Sequence, residues 1–98
     1  MNKEDISVLV CDDSALMRNL ISRIIENTQG LSVCAKAMNG EIALEKIAEA
    51  KPDVIVLDIE MPVMNGIEFL RERKKRKMDI PVIILSSIAT EGASVTME

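Results

Sequence analysis

Four short apolar runs, each followed by a stretch of helical periodicity, constrain this chain more than any other feature. The runs are Ser7–Cys11, Ser32–Ala37, Val54–Leu57 and Val82–Leu85. The last two are brief and rich in β-branched residues, as central parallel strands require. Between the first two, Leu16, Leu20, Ile21, Ile24 and Ile25 recur at helical spacing, with Ser14 placed to cap the start and Gly30 marking the end. Ile42, Ala43, Ile47 and Ala48 line a second helix that must stop before Pro52. Ile67, Phe69 and Leu70 begin a third after the turn signal Asn65-Gly66, and Pro81 separates it from the fourth strand. Gly92 to Glu98 reads as the opening of a fourth helix.

Strands that alternate with single helices imply right-handed crossovers and a parallel sheet covered on both faces. The expected class is a three-layer α/β fold of the flavodoxin-like type, with strand order 2-1-3-4. Composition agrees. Of 98 residues, 48% are hydrophobic and only Phe69 is aromatic, so the core must be built from aliphatic side chains and Met. Single-stranded nucleic-acid modules that stack bases on aromatic rings are disfavoured on the same ground. A formal net charge of −4 also argues against nucleic-acid and anionic-membrane partners. No apolar run approaches membrane-spanning length, and the N-terminus lacks a signal-peptide layout, so the protein reads as cytoplasmic.

The chain has no histidine, which excludes a Ser-His-Asp triad, a Cys-His dyad and a His-ligated zinc built from its own residues. Cys11 and Cys34 each sit in an apolar run and read as buried reduced thiols. The run from Arg71 to Lys77 is the one basic cluster. It reads as a solvated helix end that complements the helix dipole, with docking of an acidic partner as the other reading. Met61 and Met64 fall near the strand-three end, where packing is their default role.

In doubly wound sheets the site lies beyond the carboxyl ends of the strands, where the strand order switches. Asp12 and Asp13 follow strand one, Asp58 follows strand three, and Ser86 and Ser87 follow strand four. Taken singly, these have ordinary readings: a helix cap, a turn former, a loop. Together they gather carboxylates and a hydroxyl at one edge. Crowded carboxylates repel unless a cation joins them, and a few carboxylates with waters and a phosphate are the usual way Mg²⁺ is held. A carboxylate is also a nucleophile toward phosphorus.

Three segments carry a family resemblance. Val8-Leu9-Val10-Cys11-Asp12-Asp13-Ser14 resembles the first strand and acidic pair of two-component response-regulator receivers, the CheY-like group. Pro52-Asp53-Val54-Ile55-Val56-Leu57-Asp58-Ile59-Glu60-Met61-Pro62, with Asn65-Gly66, is similar to their phosphoacceptor segment. Pro81-Val82-Ile83-Ile84-Leu85-Ser86-Ser87 is similar to their fourth strand and hydroxyl position. Asp12-Asp13-Ser14-Ala15-Leu16-Met17-Arg18, Asp58-Ile59-Glu60-Met61-Pro62, Ser86-Ser87-Ile88, Gly92-Ala93 and Val95-Thr96 look like the receiver of chemotaxis protein-glutamate methylesterases in particular.

The resemblance implies that Asp58 accepts a phosphoryl group from a sensor histidine kinase. It implies that Asp13, Asp58 and the main-chain carbonyl of Glu60 hold Mg²⁺, that Asp12 assists through water, and that Ser86 hydrogen-bonds the phosphoryl group. The chain itself would be regulatory and not an enzyme, governing a methylesterase domain found in a full-length relative. Family receivers continue into a fifth strand, an essential lysine and a fifth helix, for which residues 1–98 have no counterpart. The expectation is therefore a receiver domain incomplete at its C-terminal side, lacking strand five and helix five. Mg²⁺ binding would outlast signalling, and an exposed fourth-strand edge would invite self-association. Two other readings stand beside it. One is a haloacid-dehalogenase-like phosphohydrolase using Asp58 and Glu60, and the other is an interaction module that is not phosphorylated.

Overall fold

In the computed structural model, which describes residues 5–59, 64–86 and 94–97, every apolar run becomes a strand. The order is β1 (Ile6–Cys11), α1 (Ala15–Glu26), β2 (Leu31–Ala37), α2 (Gly40–Ala50), β3 (Val54–Asp58), α3 (Gly66–Lys75), β4 (Val82–Ser86) and β5 (Ser94–Met97). The first four strands are parallel in the order 2-1-3-4, and β5 is added antiparallel outside β4. β1 is central, pairing with β2 on one side and β3 on the other. Cys34 is the extra residue where the β1–β2 register shifts, since Val8 faces Val33 and Leu9 faces Ala35.

Side-chain caps start each helix. Ser14 Oγ accepts the Met17 N–H at 3.3 Å, and Asn39 Oδ1 accepts the Ile42 N–H at 2.9 Å. Asn65 and Glu68 form a reciprocal capping box at α3. At its other end α3 carries Arg73, Lys74 and Lys75 in the last turn, where cations suit the helix dipole. Arg73 Nε also donates to the Ile80 oxygen at 2.8 Å, and Arg76 pairs with Glu72. The basic run thus has a structural use.

Strand alternation sends Leu9, Cys11, Ile55, Leu57, Val82 and Ile84 to one face, where they join Ala43, Leu44 and Ile47 of α2 and the fully buried Phe69 of α3. Val8 and Val10 face the other way, against Ile25 and Ile21 of α1. Of the α1 residues at helical spacing, Ile25 is buried and Ile21 half-buried, while Leu16, Leu20 and Ile24 are exposed. Among the described residues no helix is long and apolar enough to cross a membrane.

The C-terminal segment departs from expectation. Ser94–Met97 is a strand, not part of a fourth helix, while Gly92, Ala93 and Glu98 lie outside the described residues. Residues Ile83 to Ser86 pair with Met97 to Ser94. A strand edge offers unpaired N–H and C=O groups, and Val95 and Thr96 have the β-branched character that suits such pairing. Helical reading of so short a segment ignored that open edge. The same pairing removes the reason for expecting chains to associate through β4, because that edge is already covered within the chain.

Candidate metal centre

The β1–β3 register places Cys11 beside Leu57, so Asp12, just after β1, and Asp58, the last residue of β3, stand side by side at the sheet's edge. Asp12, Asp13 and Asp58 each offer a carboxylate oxygen, and these oxygens lie within 4.8 Å of one another. Asp12 is buried, at 6% exposure, Asp58 is half-buried and Asp13 is exposed. Burial pushes the Asp12 carboxyl above its ordinary range, and the neighbouring Asp13 adds to the rise. The Ser14 N–H, 2.9 Å from Asp12 Oδ1, and the Arg18 charge act in the other direction. Clustered carboxylates with an ion-sized gap suit a hard divalent cation, which would cancel the repulsion.

Backbone packing holds the cluster from below. The Gly66 N–H donates to the Ile59 oxygen at 2.8 Å, and a Cβ at Gly66 would stand 2.7 Å from Ile59 Cα and 2.9 Å from the Asp58 oxygen. Only glycine lets the start of α3 press this closely on the backbone that carries Asp58. The Gly40 N–H donates to the Met64 oxygen at 3.0 Å, and a Cβ there would meet Met64 at 2.8 Å. Cys11 Sγ donates to the Asn39 oxygen at 3.4 Å. The end of β1, the start of α2 and the chain leading into α3 are therefore tied into one floor.

That floor settles the reading of the cysteines. Both are free. Burial, then the charges of Asp12 and Asp58, push the Cys11 thiol up to about 12, so it carries almost no thiolate at neutral pH. Cys34 lies opposite the Val8–Leu9 step of β1, where the Ser7 side chain and the Asp53 charge act on it. Two to three residues of β1 separate that step from Cys11, about 7–10 Å along the strand with a further strand spacing across it, too far for a bridge.

Of the residues singled out in the sequence, Asp12, Asp13 and Asp58 come together as expected. Ser86 is the last residue of β4, one step beyond the Leu85 that faces Asp58. Glu60, Met61 and Ser87 lie outside the described residues. Sequence reasoning missed Arg18, whose Nη1 donates to the main-chain oxygen of Asp12 at 2.7 Å. Its one signal was a cation in the first turn of a helix, where the dipole disfavours it.

Comparison with known proteins agrees with this geometry. The family model described as "Response regulator receiver domain" matches residues 8–97. The protein-glutamate methylesterase/protein-glutamine glutaminase of Treponema denticola is 66% identical over 97% of this chain, which covers 26% of that relative. The protein of the same name from Treponema pallidum is 60% identical over 99% of the chain and 24% of the relative. The chain thus spans about a quarter of the length of these curated relatives. Among solved structures, the response regulator domain of Thermotoga maritima CheB superposes with a TM-score of 0.80 at 48% identity, covering 92% of this chain and 66% of that one.

Proposed function

This chain belongs to the response-regulator receiver family, and from that premise we propose that it is a phosphorylation switch with Asp58 as phosphoacceptor. The observation that carries the reading is the three-carboxylate cluster at the adjoining ends of β1 and β3. The Asp58 carboxylate attacks phosphorus, forming an acyl phosphate. The bond from phosphorus to the donor's imidazole nitrogen breaks, and its electron pair leaves with the donor, a phosphohistidine on a sensor kinase. Asp13 and Asp58 would hold Mg²⁺, with Asp12 assisting beside them; the family resemblance adds the main-chain carbonyl of Glu60, which lies outside the described residues. When bound, the metal neutralises charge on the phosphoryl oxygens. Ser86, at the end of β4, donates a hydrogen bond to the phosphoryl group.

Residues 1–98 act as a regulatory receiver unit in the cytoplasm, with no catalytic activity of their own beyond accepting phosphate. Their output is control of a methylesterase domain in a longer protein, the activity for which the two Treponema relatives are named. A phosphohydrolase reading fits less well, because such enzymes carry their nucleophile after the first strand, and here Asp58 ends β3 while the Asp12-Asp13 pair follows β1.

Incubation with acetyl phosphate and Mg²⁺, read by intact mass, tests the assignment. One added phosphoryl group is expected on the parent, and none on Asp58→Asn or after chelation of the metal. Phosphorylation that persists in Asp58→Asn, or a parent that takes up no phosphate, overturns it.

A further inference from the structure

Asp12 is gripped on three sides. Its N–H donates to the Ala37 oxygen at 3.0 Å, continuing the β1–β2 ladder. Its Oδ1 accepts the Ser14 N–H at 2.9 Å. Its main-chain oxygen accepts Arg18 Nη1 at 2.7 Å, the short distance of a charge-assisted bond. Arg18 is the fourth residue of α1, and its own N–H donates to the Ser14 oxygen at 2.9 Å, so the guanidinium reaches back over the helix start.

Helix energetics do not explain this placement. A cation in the first turn works against the macrodipole, and α1 has no acidic residue there to offset it. The Arg18 charge does act on the Asp12 carboxyl, but the hydrogen bond of the half-buried guanidinium is to a main-chain oxygen, which attraction to the carboxylates alone does not require. What the bond does is fix the peptide plane between Asp12 and Asp13. That plane decides where the Asp13 Cα, and with it the exposed Asp13 carboxylate, stands relative to Asp58.

We propose that Arg18 is a positioning residue for the metal centre, holding the Asp12–Asp13 peptide by its main-chain oxygen so that the Asp13 carboxylate is aimed at the ion shared with Asp58. This rests on the function proposed above and adds a residue to it. Arg18 touches neither the ion nor the phosphoryl group.

The inference has a sign that separates it from a purely electrostatic role. A positive charge beside a cation site repels the incoming cation, so if charge were all Arg18 contributed, removing it would tighten Mg²⁺ binding. A positioning role predicts the opposite.

The test is Mg²⁺ titration of the phosphate-free chain, followed through the backbone amide resonances of Asp13, Ser14 and Ile59. Parent, Arg18→Met, Arg18→Ala, Arg18→Lys and Asp58→Asn are compared. Arg18→Met keeps the aliphatic stem and its packing while removing donor and charge. Arg18→Met and Arg18→Ala are expected to weaken Mg²⁺ binding by about 10- to 100-fold, the range typical of lost support behind a metal ligand. Arg18→Lys, which keeps a donor and the charge, should recover most of that loss. The Asp13 amide resonance should also move in Arg18→Met before any metal is added, because the peptide that carries it has lost its partner. Unchanged or tighter binding in Arg18→Met overturns the inference and leaves the Asp58 assignment standing. A parent that binds no Mg²⁺ overturns both.

Discussion

The two faces of the sheet are covered very differently. On the α2–α3 side, Leu9, Cys11, Ile55, Leu57, Val82 and Ile84 are buried under two helices, and Phe69 is completely enclosed. On the α1 side, the buried hydrophobic cluster among the described residues is Val8, Val10 and Ile25, while Leu16 is 77% and Ile24 60% exposed. The carboxylate cluster of Asp12, Asp13 and Asp58 sits over this boundary. Asp58 is braced from the well-packed side through Gly66, and Asp12 and Asp13 are held from the thinner side through Ser14 and Arg18. Stability is therefore drawn chiefly from one face, and site geometry from both.

The largest effect that would sharpen this contrast is expected at Phe69. Phe69→Ala should cost about 3–5 kcal/mol, as for other large-to-small changes at enclosed aromatic positions. Urea unfolding measures it, and a loss below ~1 kcal/mol would mean that the α2–α3 face is not the chief source of stability. Gly66→Ala comes next. Its new methyl would press on main-chain atoms that cannot swing aside, so a cost of about 1–3 kcal/mol is expected. Because the displaced backbone belongs to Asp58 and Ile59, phosphate uptake from acetyl phosphate should fall with it. Unimpaired phosphorylation would show that the brace is dispensable. The smallest effect is predicted on the open side, where Ile24→Gln should change stability by no more than about 0.5 kcal/mol. A larger loss would reveal that the outer face of α1 is covered in solution.

Legibility followed the range of the interactions. Strands β1 to β4 were visible because their side chains alternate or run apolar between turn residues, and their ends fell within one residue of expectation. Ser14 announced the start of α1 for a local reason: a cap acts on a backbone group only a few residues away. The acidic cluster was visible because topology alone carries strand ends to one edge. What escaped was set by contacts between distant segments. Nothing near Gly40 or Gly66 declares that Met64 or Ile59 will press against it. The outward side of α1 could not be told from the inward side, since Leu16, Leu20 and Ile24 have the same spacing that marks a buried stripe. The strand at Ser94–Met97 depends on an open edge at β4, which no local pattern records.

The central position of β1 has a further bearing, on the order in which the molecule is assembled. Asp12 and Asp13 are made early and can be set by the local β1–α1–β2 unit, whose parallel pairing needs nothing beyond Ala37. Asp58 arrives only when β3 docks on the other side of β1, a contact of much greater sequence separation. Closing that contact brings like charges together at the moment of docking. On the proposed function, a divalent ion bound there would favour the completed state over any species that lacks β3, and so would also latch a late step of folding.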